Sequence, residues 1–261
     1  FRSHLAPGVP WRLRLAGGPG RATWAPIKRL AEEQVAAGAA VLDVNVGAAG
    51  VNEVEVLPMA VRAVMEVTDV PLCLDSANAQ ALRAALEVYE GKALINSVNG
   101  EEASLGRVLP LVKEFGAAVI GLTMDERGIP KTAEERLEVA KKIVSRAEAM
   151  GIPREDILID CLALAVGADT TAGSVALEAI RLVRRELGVN MTLGVSNISF
   201  GLPDREDINE VFLAMALGCG VNAPIVNPAQ ACKTALIADL LLGRDEYAMR
   251  YIRYCRAHKT A

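Results

Sequence analysis

Seven short apolar runs in the 261-residue chain each finish on side chains that can hydrogen-bond. In order they are VLDVNVG (Val41 to Gly47), PLCLDS (Pro71 to Ser76), ALINSVNG (Ala93 to Gly100), VIGLTM (Val119 to Met124), ILIDCL (Ile157 to Leu162), TLGVSNIS (Thr192 to Ser199) and APIVNP (Ala223 to Pro228). Their ends offer Asp43 and Asn45, Asp75, Asn96 and Ser97, Thr123, Asp160, Ser196 and Asn197, and Asn227. These are carboxylates, amides and hydroxyls, with no Lys, Arg or His among them. The set therefore has acceptors and amide donors but no cation and no group whose ordinary pKa lies near neutrality.

That composition separates chemistries. A sugar-phosphate enzyme of this architecture needs anion-binding donors after its last strands, and SNISFGLPDR and APIVNPAQ lack a double glycine. A Schiff-base aldolase needs a lysine on a strand, and none is there. A hard-cation site clusters its ligands, whereas Asp43, Asp75 and Asp160 lie on separate runs. What separate carboxylates and amides suit is the edge of a flat heterocycle, a pterin or a purine. An ionised Asp facing a ring N–H and its neighbouring exocyclic amine makes two parallel charge-assisted bonds of roughly 1.5–3 kcal/mol each. An Asn amide, which donates and accepts, completes such an edge.

Each residue also has a plainer role to weigh. Asp75, with Ser76 and Asn78, has the spacing to cap a helix starting near Ala79, and Asn99-Gly100 has the composition of a turn, to which Asn96 could also belong. Asp160 resists such a reading because it interrupts the apolar run ILIDCLAL, and an unpaired buried carboxylate is costly. Cys161 beside it reads as a small core residue.

Positioning these ends on one face requires parallel strands separated by helices. Apolar residues at Ile27, Leu30, Ala31, Val35 and Ala36 give a helix closed by Gly38, and the unit then repeats, with Gly91, Gly116, Gly151, Gly188 and Gly220 near successive helix ends. Asn52 with Glu55 and Thr132 with Glu135 have capping-box spacing. Seven strands, with an eighth near Trp11 to Ala16, fit a single α/β domain folded as a TIM (β/α)8 barrel. An open dinucleotide-binding sheet fits less well, because no G-x-G-x-x-G opens the first unit. The expected division is a divergent segment over 1–23, carrying the first strand, and a barrel over 24–261. The basic segment Arg244 to Lys259, with Tyr247, Tyr251, Ile252 and Cys255 at helical spacing, reads as a terminal helix packed on the barrel.

Hydrophobic residues make up 52% of the chain and charged residues 23%, enough apolar surface for one large core. A net charge of -4 argues against nucleic-acid binding, and no apolar run approaches the ~20 residues of a membrane span. The five cysteines form no C-x-x-C pair and the two histidines, His4 and His258, stand apart, which argues against zinc. An odd cysteine count in an aliphatic chain without an evident leader leads us to expect a reducing, cytoplasmic setting.

The stretches LDVNVG, LCLDS, INSVNG, IGLTM with GIP, LIDCL and LGVSNISFGLP, six in order from Trp24 onward, resemble the pterin-binding methyltransferases that move a methyl group between methyltetrahydrofolate and a corrinoid protein. The likeness is nearest to the stand-alone methyltetrahydrofolate–corrinoid/iron-sulfur protein methyltransferases. The resemblance implies a homodimeric TIM barrel whose Asp75, Asn96 and Asp160 hold the pterin ring. It further implies that Asn197 meets the N5 nitrogen carrying the methyl, with Gly194 and Ser196 in the same loop and Arg205 at the benzoyl-glutamate tail. Asp43 and Asn45 join the expected binding set from the strand-end inventory. Methyltetrahydrofolate is then the substrate, and the cobalamin or other corrinoid arrives on a partner protein, since the chain has no Asp-x-His-x-x-Gly stretch. Two positions depart from the family: 1–23 lacks the Glu-Arg-Ile-Asn stretch that usually ends its first strand, and Phe200 stands where near relatives carry Gln. A dihydropteroate synthase, sharing the barrel and pterin pocket, and a non-catalytic folate-binding module are the alternatives.

Overall fold

A computed structural model describes residues 24–258, and the strand expected over Trp11 to Ala16 lies outside them. The helix α1 (Ala25–Ala36) leads into β1 (Leu42–Asn45), and six further units follow. The strands are β2 (Leu72–Asp75), β3 (Leu94–Asn99), β4 (Ala118–Leu122), β5 (Ile157–Asp160), β6 (Asn190–Gly194) and β7 (Ala223–Ile225). Between them run α2 (Glu53–Met65), α3 (Ala79–Leu86), α4 (Glu102–Phe115), α5 (Ala133–Ala149), α6 (Ala172–Leu187) and α7 (Arg205–Cys219), with α8 (Pro228–Leu241) and α9 (Met249–Ala257) at the end. All seven strands are parallel and pair in sequence order, so the sheet curls as a TIM barrel rather than reversing at a switch point. No helix among the described residues is long and apolar enough to cross a membrane.

Alternation along the strands builds two cores. One side of each strand packs on the helices, with Leu42, Val44, Leu72, Leu74, Ile95, Val119, Ile157, Ile159, Met191 and Leu193 buried there. The other side fills the barrel with a smaller cluster of Val41, Cys73, Leu94, Ala118, Ile120 and Leu158. Two residues further along those same interior faces come Asp43, Asp75, Asn96 and Asp160. The side-chain period of two thus carries each strand from an apolar floor to a polar mouth.

Local signals explain the helix boundaries. Thr132 and Glu135 form the expected capping box, each side chain bonded to the other's backbone N–H. Gly116 and Gly188 end α4 and α6 in the left-handed conformation. Asn52 precedes α2 but its side chain caps no backbone N–H; Glu53 and Glu55 face the positive end of the helix instead. The C-terminal helix is shorter than its periodicity suggests. Asp245 accepts from the backbone N–H groups of Arg250 and Tyr251 and starts it late, leaving Tyr247 85% exposed, while Tyr254 makes the contact with the core.

Gly121 marks a place where the strand and helix layers approach too closely for a side chain. A Cβ there would lie 2.8 Å from Ile143 Cγ2 and 3.1 Å from Ile159 Cδ1. Gly121→Ala is expected to destabilise the fold by about 1–3 kcal/mol through overpacking. Calorimetry should show a lower Tm, and an unchanged one would mean that this layer is looser than described.

Candidate functional site

The polar mouth is assembled by register. Asn45 on β1 pairs with Asp75 on β2, and Asp75 with Asn96 on β3, so three candidate residues occupy one row across neighbouring strands. Asn45 Nδ2 donates to Asp75 Oδ2 at 2.8 Å while its Oδ1 accepts the Gly47 N–H at 2.8 Å, which fixes the amide. Asn96 Nδ2 donates to Asp43 Oδ2 at 3.4 Å. Asp160 ends β5, its Oδ1 accepting the Leu162 N–H at 2.7 Å and its Oδ2 the Gly194 N–H at 3.4 Å.

Gly194 links this row to the loop after β6. Its N–H meets Asp160, and a Cβ at Gly194 would lie 3.2 Å from Asn197 Nδ2. The Asn197 amide therefore folds back over the strand end, and a side chain at 194 would press on it. Asn197 and Ser196 are exposed on a 3-10 turn, Val195–Ser199, whose Val195 and Ile198 are buried. The Ile198 carbonyl accepts from the Val166 N–H at 3.0 Å. Asp43, Asn45, Asp75 and Asn96 thus form one bonded group and Asp160, Gly194 and Asn197 a second, both at the C-terminal ends of the parallel strands.

Other strand-end residues have local work. Asn227 caps α8 by accepting from the Ala229 N–H at 3.1 Å. Asn78, not Asp75, caps α3, and Asp75 is left facing the barrel. Asn96 lies within β3, and Asn99 makes the turn by accepting from the Glu101 N–H. Thr123 is fully buried with its Oγ1 unpartnered. Arg205 spends Nε on Ser199 Oγ at 3.1 Å and Nη2 on the Ser196 carbonyl at 2.8 Å, with the Phe200 ring 5.8 Å from its guanidinium carbon. Its observed bonds brace the turn that carries Asn197.

Two residues escaped the sequence reading. Glu53, at the start of α2, accepts from Ser76 Oγ and lies beside the β1 end. Arg136, on α5, is 1% exposed and donates to the carbonyls of Pro130 at 3.0 Å and of Cys161 and Leu162 at 2.8 Å each. The only available signal for Arg136 was a charge at a core-facing position of α5, which helical periodicity marks but does not explain.

The expectation that nothing at the mouth titrates near neutrality is corrected by burial. Asp160 rises to about 6, chiefly because burial disfavours its charge, with the backbone N–H groups of Leu162 and Gly194 and the nearby Arg136 opposing. Asp43 rises to about 8 through burial and the neighbouring Asp75, and Asp75 is itself raised by burial. The mouth also has a cation behind it, since Arg136 supports the Asp160 loop from the α5 side.

Arg136→Met is expected to destabilise the fold by about 2–4 kcal/mol, because three carbonyls lose a buried charged donor. Arg136→Lys should recover only part of that, an ammonium being unable to reproduce the fork. Chemical denaturation measures both, and a silent Arg136→Met would show that the loop holds without it.

The sequence pattern of a family described as pterin-binding enzymes matches residues 21–227. A methylcorrinoid:tetrahydrofolate methyltransferase from Eubacterium limosum is 30% identical over 240 residues, covering 89% of this chain and 88% of that protein. The methionine synthase of Mycobacterium leprae is 36% identical over 214 residues, covering 77% of this chain, which spans only 18% of that longer protein. Among solved structures, dihydropteroate synthases from Yersinia pestis and Vibrio fischeri each superpose with a TM-score of 0.74 over 93% of this chain and 94% of theirs, at 16% identity, a likeness of fold. A barrel with acidic and amide residues at its strand ends, matched over most of its length by one sequence pattern, places the chain in the pterin-binding enzyme family.

Proposed function

We propose that the chain transfers the N5 methyl group between methyltetrahydrofolate and the cobalt of a corrinoid carried by a partner protein. The observation that carries this reading is the convergence of Asp160, Gly194 and Asn197, which sets a ring-edge acceptor and an exposed amide on either side of one strand end. The similarity to a methylcorrinoid:tetrahydrofolate methyltransferase over nearly the whole of both chains supports it. A homodimer belongs to the same proposal.

In this reading Asp160 and Asp75 accept from the N–H groups of the pterin edge and Asn96 offers the amide between them. Moving the methyl group breaks its bond to N5 and leaves the electron pair of that bond on nitrogen, so the barrier falls when N5 carries or shares a proton. Asn197 has no proton to give up at accessible pH; it orients N5 and hydrogen-bonds to it, and the proton comes from solvent. A dihydropteroate synthase reading, which the fold likeness favours, requires free cations at the mouth for a pyrophosphate leaving group. The nearby guanidiniums of Arg136 and Arg205 are instead engaged with loop carbonyls and Ser199.

Loss of one such preorganised donor costs roughly 2.7–4 kcal/mol in the barrier. Asn197→Ala should therefore slow methyl transfer from methyltetrahydrofolate to cob(I)alamin by about 10²–10³, followed spectrophotometrically. A variant as fast as the parent would refute the assignment. Asp160→Asn should weaken folate binding by roughly 10-fold or more in calorimetry, because a pure acceptor becomes a group that also donates. The parent should also lose affinity as pH falls through about 6, where Asp160 takes up a proton and ceases to be a pure acceptor. That acid limb should be missing from the Asp160→Asn variant, and its persistence would reassign it to another group.

A further inference from the structure

Asp43 was expected to touch substrate, yet it is only 9% exposed and sits on the β1 face between the apolar floor of the barrel and the mouth. Its surroundings are mapped by the elements packed on it. From β2 come Cys73, its register partner, and the Asp75 carboxylate. From β3 comes Asn96 Nδ2, at 3.4 Å from its Oδ2. Gln34 of α1 lines the same small cavity outside β1, and Glu53 of α2 bears on Asp75 rather than on Asp43. Among the described residues no Lys, Arg or His is among the groups that act on either carboxyl.

Two carboxyls on adjacent strands, facing one interior with no Lys, Arg or His of the described residues acting on them, cannot both stay ionised without a large penalty. One proton between them removes the second charge. Asp75 is the better candidate for the charge, since it is less buried and receives the 2.8 Å bond from Asn45. Asp43 is the better candidate for the proton.

Building on the pterin reading of the mouth, we propose that Asp43 is a positioning residue that remains protonated while folate binds: it offers an oxygen to the Asn96 amide, leaves Asn96 Oδ1 free for the ligand, and spares Asp75 a second negative neighbour. The upper pH limit of binding is then set by Asp43. In the ligand-free protein its proton is lost near pH 8. Between the acid limb of Asp160 and that pH affinity is full, and above it affinity falls, approaching tenfold per pH unit once binding must first take up a proton.

The test uses the whole chain with methyltetrahydrofolate as ligand. Infrared titration of the ligand-free parent should show a protonated-carboxyl C=O stretch at pH 7 that fades near pH 8 and is missing from Asp43→Asn. Calorimetry in buffers of different ionisation heat should give no proton uptake by the parent at pH 7, rising towards one proton per site about one pH unit above the midpoint. Asp43→Asn keeps an oxygen for Asn96 and no charge, so its affinity at pH 7 should stay within about 3-fold of the parent and lose the alkaline decline. Asp43→Leu, which removes the acceptor, should bind roughly 5-fold or more weakly at all pH values. The proposal is overturned if the parent lacks the carbonyl band at pH 7, or if Asp43→Asn binds as weakly as Asp43→Leu there. Proton uptake by the parent decides the matter even if a variant fails to fold. A carbonyl band with the expected titration but no folate binding would sustain the protonated carboxyl and overturn the pterin reading instead.

Discussion

Carboxylates buried in a barrel mouth, with no Lys or Arg of the described residues paired to them, depend on hydrogen bonds to keep any charge at all. Each bond observed here has that effect: the backbone N–H groups of Leu162 and Gly194 on Asp160, and the amides of Asn45 and Asn96 on Asp75 and Asp43. Amides donate without adding charge, so the mouth keeps its acceptors and remains anionic. A ligand that presents no N–H groups would leave these acceptors unpaired. The raised pKa values of Asp43 and Asp160 express the incompleteness of that compensation.

Cations take part from behind. Arg136 ties the loop after β5 to α5 through the carbonyls of Cys161 and Leu162 and holds the segment before α5 through that of Pro130, and Arg205 ties the turn after β6 to the start of α7. Both fix backbone that presents Asp160 and Asn197. A guanidinium suits the task because its fork meets several oxygens at once, whereas a cation inside the mouth would pair with the acidic residues and close them to a ligand.

The rigid barrel makes this economy of groups workable. Register places Asn45, Asp75 and Asn96 in one row, and the glycine at position 194 lets Asn197 lie against the end of the next staves. The geometry of that row is set by strand pairing and by helices packed against the outer face.

Much of this was legible in the residues themselves. Apolar runs ending in Asp, Asn, Ser or Thr, separated by helical periods and glycine stops, specify parallel strands in order, since alternation and helix periodicity are local properties of the chain. The same reading put Asp75, Asn96, Asp160 and Asn197 at strand ends, because polar groups at the ends of buried runs are conspicuous. It misjudged the capping of α2 and the start of α9, where competing side chains decide the boundary, and it passed over Arg136 and Glu53, whose partners are distant in sequence. Nor could it separate Asn227, which caps a helix, from Asn45 and Asn96, which face the mouth, or decide whether Asp75 or Asn78 caps α3. Sequence determined which side chains stand at the strand ends; only the tertiary structure decided which are buried together, because the desolvation that drives Asp43 and Asp160 toward neutral pKa values arises from neighbours brought in by folding.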